Sequence, residues 1–177
     1  MKKVLFIILI SCFSLTIISC SDEKEESTET TTDNTTTTDT TSPTAITAGS
    51  NHTCALLSDG TIKCWGNGQY GQMGNGTTTQ QNLSPVTVSN ISTAMQVGSG
   101  EGHTCSVLND KRIKCWGSGS SGQLGNGASS SSSDPVSVSS ISSASSVTGG
   151  SDHTCALLSD GTVKCWGKGG EGQLGNQ

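Results

Sequence analysis

The chain repeats itself three times, and this periodicity limits its fold more than any other feature. His52-Thr53-Cys54, His103-Thr104-Cys105 and His153-Thr154-Cys155 recur at steps of 51 and 50 residues. Cys64-Trp65-Gly66, Cys115-Trp116-Gly117 and Cys165-Trp166-Gly167 keep the same steps, as do the Gly-Gln-(Met or Leu)-Gly-Asn stretches that begin at Gly71, Gly122 and Gly172. A unit of this length cannot cover its own apolar faces, so neighbouring units must stack as a propeller, solenoid or array. The 23 glycines among 177 residues, with long runs of Ser and Thr, are poor helix material and exclude a helical array.

Within the first unit, His52 to Leu57 and Thr61 to Gly66 read as two strands joined by Ser58-Asp59-Gly60. A three-residue loop ending in glycine suits a type I turn followed by a left-handed residue. If Leu57 and Thr61 close that loop, Cys54 faces Cys64, and the same rule sets Cys105 opposite Cys115 and Cys155 opposite Cys165. Alternation places His52, Cys54, Leu56, Ile62 and Cys64 on one face and Ala55, Leu57 and Trp65 on the other. Both faces carry apolar groups, so the hairpin must be covered on both sides. Ala45 to Gly49 and Val86 to Ser89 supply outer strands, which makes four per unit. In the middle unit Lys111 stands where Gly60 and Gly161 supply the left-handed turn residue, so that hairpin is expected to be the most strained.

These motifs, His-Thr-x-Ala-Leu-x-x-Asp-Gly-x-x-x-x-Trp-Gly followed by Gly-Gln-Leu-Gly, resemble the regulator of chromosome condensation repeat over Ala45 to Asn176. The resemblance implies a β-propeller of four-stranded blades, typically seven in the family. The expectation is therefore an all-β partial propeller of three four-stranded blades, at about 45–93, 94–143 and 144–177. The third is incomplete, because the chain stops at Gln177 before any fourth strand. Three blades do not close a ring, which leaves a truncated gene product, association of copies through the open blade edge, or an edge covered by something else. Cysteines at both facing positions resemble an exported bacterial branch of the family in which the hairpin carries a disulfide.

The start of the chain points to export. Lys2 and Lys3 precede an apolar stretch from Val4 to Ile10, continued by Phe13 to Ile18, a pattern of a signal peptide over 1–19. Ile17-Ile18-Ser19-Cys20 resembles the lipobox of bacterial lipoproteins, which implies that Cys20 is acylated and becomes the new N-terminus. Residues 20–43 carry seven acids against Lys24 and no large apolar side chain, and they read as a disordered acidic stalk before repeats that begin at 44. From Thr44 onward seven acids meet six bases, so the repeats lack the basic footprint of a nucleic-acid binder. The resulting expectation is a lipid anchor in a bacterial cell envelope, at the outer membrane or cell surface.

With Cys12 lost in the leader and Cys20 acylated, Cys54, Cys64, Cys105, Cys115, Cys155 and Cys165 pair completely, and export favours their oxidation. The rival is zinc, for which each unit offers only a His and two Cys where a closed structural site wants four ligands. Asp, His and Ser recur three times in identical settings, whereas a catalytic site is normally built once, so neither catalysis nor a cofactor or metal is expected. Trp65, Trp116 and Trp166 read as blade-stacking aromatics. Binding specificity is expected where the units differ, on the rim opposite the Ser-Asp-Gly turns: Tyr70, Glu101, Lys168 and Glu171. The function read from the chain is a protein-binding or scaffold module for an envelope protein or component. The alternatives are a fragment of a longer propeller with no independent function and, remotely, an enzyme built on a propeller.

Overall fold

The computed structural model describes residues 41–175. The expected leader (1–19), the acylated Cys20 and most of the stalk lie outside the described residues. Eleven antiparallel strands form three sheets among the described residues, with no helix. The first sheet takes β1 (Pro43–Ala48), β2 (His52–Leu57), β3 (Ile62–Gly66) and β4 (Asn82–Thr87) in chain order. The second repeats that order with β5 (Ala94–Ser99), β6 (His103–Leu108), β7 (Ile113–Gly117) and β8 (Ser132–Ser137). The third has three strands, β9 (Ala144–Gly149), β10 (His153–Leu158) and β11 (Val163–Gly167).

The central hairpins have the expected register: Cys54 opposes Cys64, Cys105 opposes Cys115 and Cys155 opposes Cys165. Each pair is a disulfide across Cα separations of 4.0–4.1 Å. The outer strands differ from the expected bounds. β1 begins at Pro43, which the sequence assigned to the stalk, and β4 spans Asn82–Thr87 in place of Val86–Ser89. The shift has a physical cause. Pro85 lacks an N–H, yet it is accommodated on a strand whose outer side is an edge, where no ladder donor is needed. The register also slips between Cys64 and Gly66, so β4 reaches further back than simple alternation suggests.

The core lies between sheets. Cys54, Leu56, Ile62, Cys64 and Met73 of the first unit pack against Ala94, Val97, Leu108 and Trp116 of the second. The corresponding group of the second unit, with Cys105, Val107, Ile113, Cys115 and Leu124, packs against Ala144, Val147, Ala156 and Leu158 of the third. Burial on both faces, inferred from the hairpin pattern, is thus met by sheet-on-sheet stacking, and β6 is buried along its whole length.

Candidate functional site

Two polar contacts repeat at each junction between sheets. The Trp116 indole donates to the Gln72 carbonyl at 2.9 Å, and Trp166 donates to Gln123 at 2.9 Å. His52 Nε2 lies 2.8 Å from the Thr104 hydroxyl, and His103 Nε2 lies 2.8 Å from that of Thr154. The Thr154 hydroxyl in turn donates to the Gln123 carbonyl at 2.8 Å. Its oxygen therefore receives the His103 Nε2–H, which leaves Nδ1 unprotonated. Nδ1 of both His52 and His103 is buried with no hydrogen-bond partner among the described residues, and burial pushes both rings down to a pKa of about 4. These histidines are neutral joints between sheets. The six hairpin cysteines are joined as disulfides, so the zinc alternative lacks its thiolates.

The rim opposite the Ser-Asp-Gly turns is built by two loops per unit, one entering the first hairpin strand and one leaving the second. They are clasped together by backbone bonds of 2.8 Å from Asn67 to Asn51, Ser118 to Gly102 and Lys168 to Asp152. The clasp needs the glycine that ends each second strand: at Gly66, φ is +103° and a Cβ would stand 2.5 Å from the Asn51 carbonyl. Beyond it, the buried Gln72 side chain accepts the Tyr70 N–H at 2.8 Å and donates to Asn67 Oδ1 at 3.2 Å. Gln123 does the same for Ser121 and Ser118, and Gln173 accepts the Glu171 N–H. Tyr70, Ser121 and Glu171 are therefore equivalent positions on equivalent scaffolds, and only the first is aromatic.

At the junction of the first two units this rim opens into a cavity of about 420 Å³. Tyr70 and Glu101 line it together, with Asn51, Asn67, Gln69 and Asp152. Tyr70 is 50% exposed, which leaves much of its ring available. Glu101 receives a hydrogen bond from Ser151, and Asp152 receives one from Gln123 at 3.3 Å, so residues of the adjoining units hold both carboxylates. Among the described residues, no lysine, arginine or histidine lines the cavity. Two carboxylates, amides and an aromatic face suit a donor-rich cationic group. Of the four rim residues expected from sequence, Tyr70 and Glu101 converge here, while Lys168 and Glu171 sit in the exposed loop of the third unit and do not line the cavity. Asp152, Asn51 and Asn67 were not singled out from sequence. Comparing the residue just before each repeated histidine would have exposed Asp152, since Asn51, Gly102 and Asp152 differ there.

Stacked antiparallel sheets, joined by recurrent Trp-to-Gln and His-to-Thr contacts and carrying a recessed rim, define a partial β-propeller. The regulator of chromosome condensation (RCC1) repeat matches at residues 44–72, 96–123 and 144–173 in one form and at 59–107 and 113–157 in another. The chain belongs to this repeat family. It is 41% identical over 86 residues to the ultraviolet-B receptor UVR8 of Arabidopsis thaliana, covering 48% of this chain and 19% of the receptor. It is 31% identical over 88 residues to the human E3 ubiquitin-protein ligase HERC2, covering 48% of this chain and 2% of the ligase. Among solved structures, Prp20p of Saccharomyces cerevisiae superposes with a TM-score of 0.67 at 23% identity, over 77% of this chain and 33% of Prp20p. Human WBSCR16 gives 0.65 at 21% identity, over 73% and 35%. The chain thus spans a small part of these relatives, and the structural likenesses establish the propeller fold.

Proposed function

We propose that this protein is a lipid-anchored, extracytoplasmic binding module that holds a protein partner of the bacterial cell envelope on the Tyr70 rim and performs no catalysis. The observation that carries the reading is the convergence of Tyr70, Glu101 and Asp152 on one cavity that no cationic side chain lines among the described residues. A lysine or arginine side chain of the partner fits that chemistry, with its charge against the carboxylates and its stem along the ring. Binding by a propeller of this family has a precedent in Prp20p, described with binding properties toward Gsp1p and histones. The anchor rests on the short apolar leader ending at Ser19-Cys20, and the export on paired cysteines in every hairpin.

Three strains test the proposal in one experiment: wild type, Cys20→Ser, and Tyr70→Ala with Glu101→Ala, each fed a labelled fatty acid and solubilised for capture of envelope proteins. Wild type and the rim variant should carry label, and Cys20→Ser should not. A partner held by wild type should be captured roughly tenfold less by the rim variant, the loss expected for an aromatic and charged anchor. Label persisting in Cys20→Ser would overturn the anchor, and a partner retained equally by the rim variant would overturn the binding surface.

A further inference from the structure

The two junctions between units fill the same place on the rim in opposite ways. At the first, the bulky Tyr70 stands against Gly102, where a Cβ would lie 3.5 Å from the ring's Cδ2 and 3.4 Å from Ser118 Cβ. At the second, the small Ser121 takes the position of Tyr70, and Asp152 takes that of Gly102, with its Oδ1 held by Gln123 Nε2 at 3.3 Å. The Tyr70 ring therefore lies beside bare backbone, where an aspartate or asparagine side chain would compete for its space, and it stays half exposed. The acceptors that line the same cavity come from two carboxylates on different units. Ser151 takes one oxygen of Glu101 and Gln123 takes one of Asp152, which leaves a second oxygen on each for a ligand. Asn67 Oδ1 is already engaged, by the Gln69 N–H at 2.9 Å and by Gln72 Nε2 at 3.2 Å.

We propose that this cavity selects a guanidinium over an ammonium, so that the partner's anchor is an arginine, and that Gly102 is the residue that sets the preference. The proposal rests on the role assigned above to the rim as a cation-binding surface. A guanidinium is planar, carries five donors in a fixed fork and is more weakly hydrated than an ammonium. It can lie on the Tyr70 ring while its edge reaches the two remaining carboxylate oxygens. An ammonium is a compact, strongly hydrated point charge, which the same carboxylates attract but which gains less from a flat ring face. With asparagine at position 102, as at Asn51 in the first unit, the ring is displaced and the flat surface is lost. What then remains is carboxylate attraction, which treats the two cations alike.

Tyr70 is the only tyrosine of the chain, so its ring reports on this cavity alone. The test is NMR of the full chain, disulfides intact and tyrosine isotope-labelled on the ring, titrated with the capped peptides Gly-Arg-Gly and Gly-Lys-Gly. The ring signals should shift saturably with both, and the arginine peptide should bind about fivefold more tightly, the scale of one exposed cation–ring contact. Gly102→Asn should weaken the arginine peptide to the level of the lysine peptide. Gly102→Ala, whose Cβ makes only ordinary contact with the ring, should keep the preference. Gly102 is not among the glycines with positive φ, so both substitutions suit its backbone, and circular dichroism will verify that the variants fold. Equal affinity of the wild type for the two peptides, a preference for lysine, or an unchanged preference in Gly102→Asn would overturn this inference and leave the cation-binding rim standing. A ring that responds to neither peptide would overturn the rim itself, and this inference with it.

Discussion

At the scale of single residues, the three hairpin turns form a natural comparison. Gly60 and Gly161 adopt φ of +79° and +84°, and Lys111 adopts +65° at the same position, with the same backbone bond to the residue that ends the preceding strand. A side chain in this region costs roughly 1–2 kcal/mol. Lys111→Gly should therefore raise the melting temperature by roughly 2–8 °C, as followed by circular dichroism, for a domain of this size. A melting temperature that stays the same or falls would show that the lysine stem or the turn itself offsets the strain. The neighbouring aspartates are alike in all three turns. Hydrogen bonds from Thr61, Arg112 and Thr162 hold Asp59, Asp110 and Asp160 below the usual carboxylate range. What they add to stability is present above that range and is lost only as pH falls beneath it.

At the scale of elements, the joints between sheets carry a separate pH dependence. Burial lowers His52 and His103 from 6.5 to about 4, so in the folded state both stay neutral while the unfolded chain protonates below about 6.5. Their contribution is complete above about pH 6.5 and is lost as pH falls toward about 4, on the order of 3 kcal/mol for each ring. Urea midpoints should decline over that window, and His103→Gln, which keeps a donor for Thr154 but cannot titrate, should flatten the decline. A stability that does not change between neutral pH and about pH 4.5 would remove the neutral-joint account. The central hairpins were legible from sequence because a three-residue turn sets the pairing arithmetic and a one-residue slip would move every cysteine to the wrong face. The outer strands were less legible. Asn82 to Pro85 alternates poorly, and its strand character comes from pairing with β3 across an irregular register. The cavity was half legible: Tyr70 and Glu101 stand out as differences between repeats, but that Asp152, 82 residues beyond Tyr70 in the chain, joins them depends on the angle at which sheets stack.

At the scale of the whole molecule, each sheet serves as the partner that covers its neighbour, and the disulfide inside each hairpin ties the register of its two strands. Each bridge closes a short loop, at a sequence separation of 10, and contributes up to about 3 kcal/mol on the chain-entropy model. That stabilisation suits a chain with only 31% hydrophobic residues, and it is available only where cysteines oxidise. Local register, sheet stacking and the proposed export therefore meet in one observable, the pairing of six cysteines. Peptide mapping of the full chain, isolated from cells with thiols blocked and without reductant, reads it directly. The account predicts links Cys54 to Cys64, Cys105 to Cys115 and Cys155 to Cys165, with no free thiol among the six. Links between different repeats would contradict the hairpin register, and six free thiols would contradict an extracytoplasmic protein.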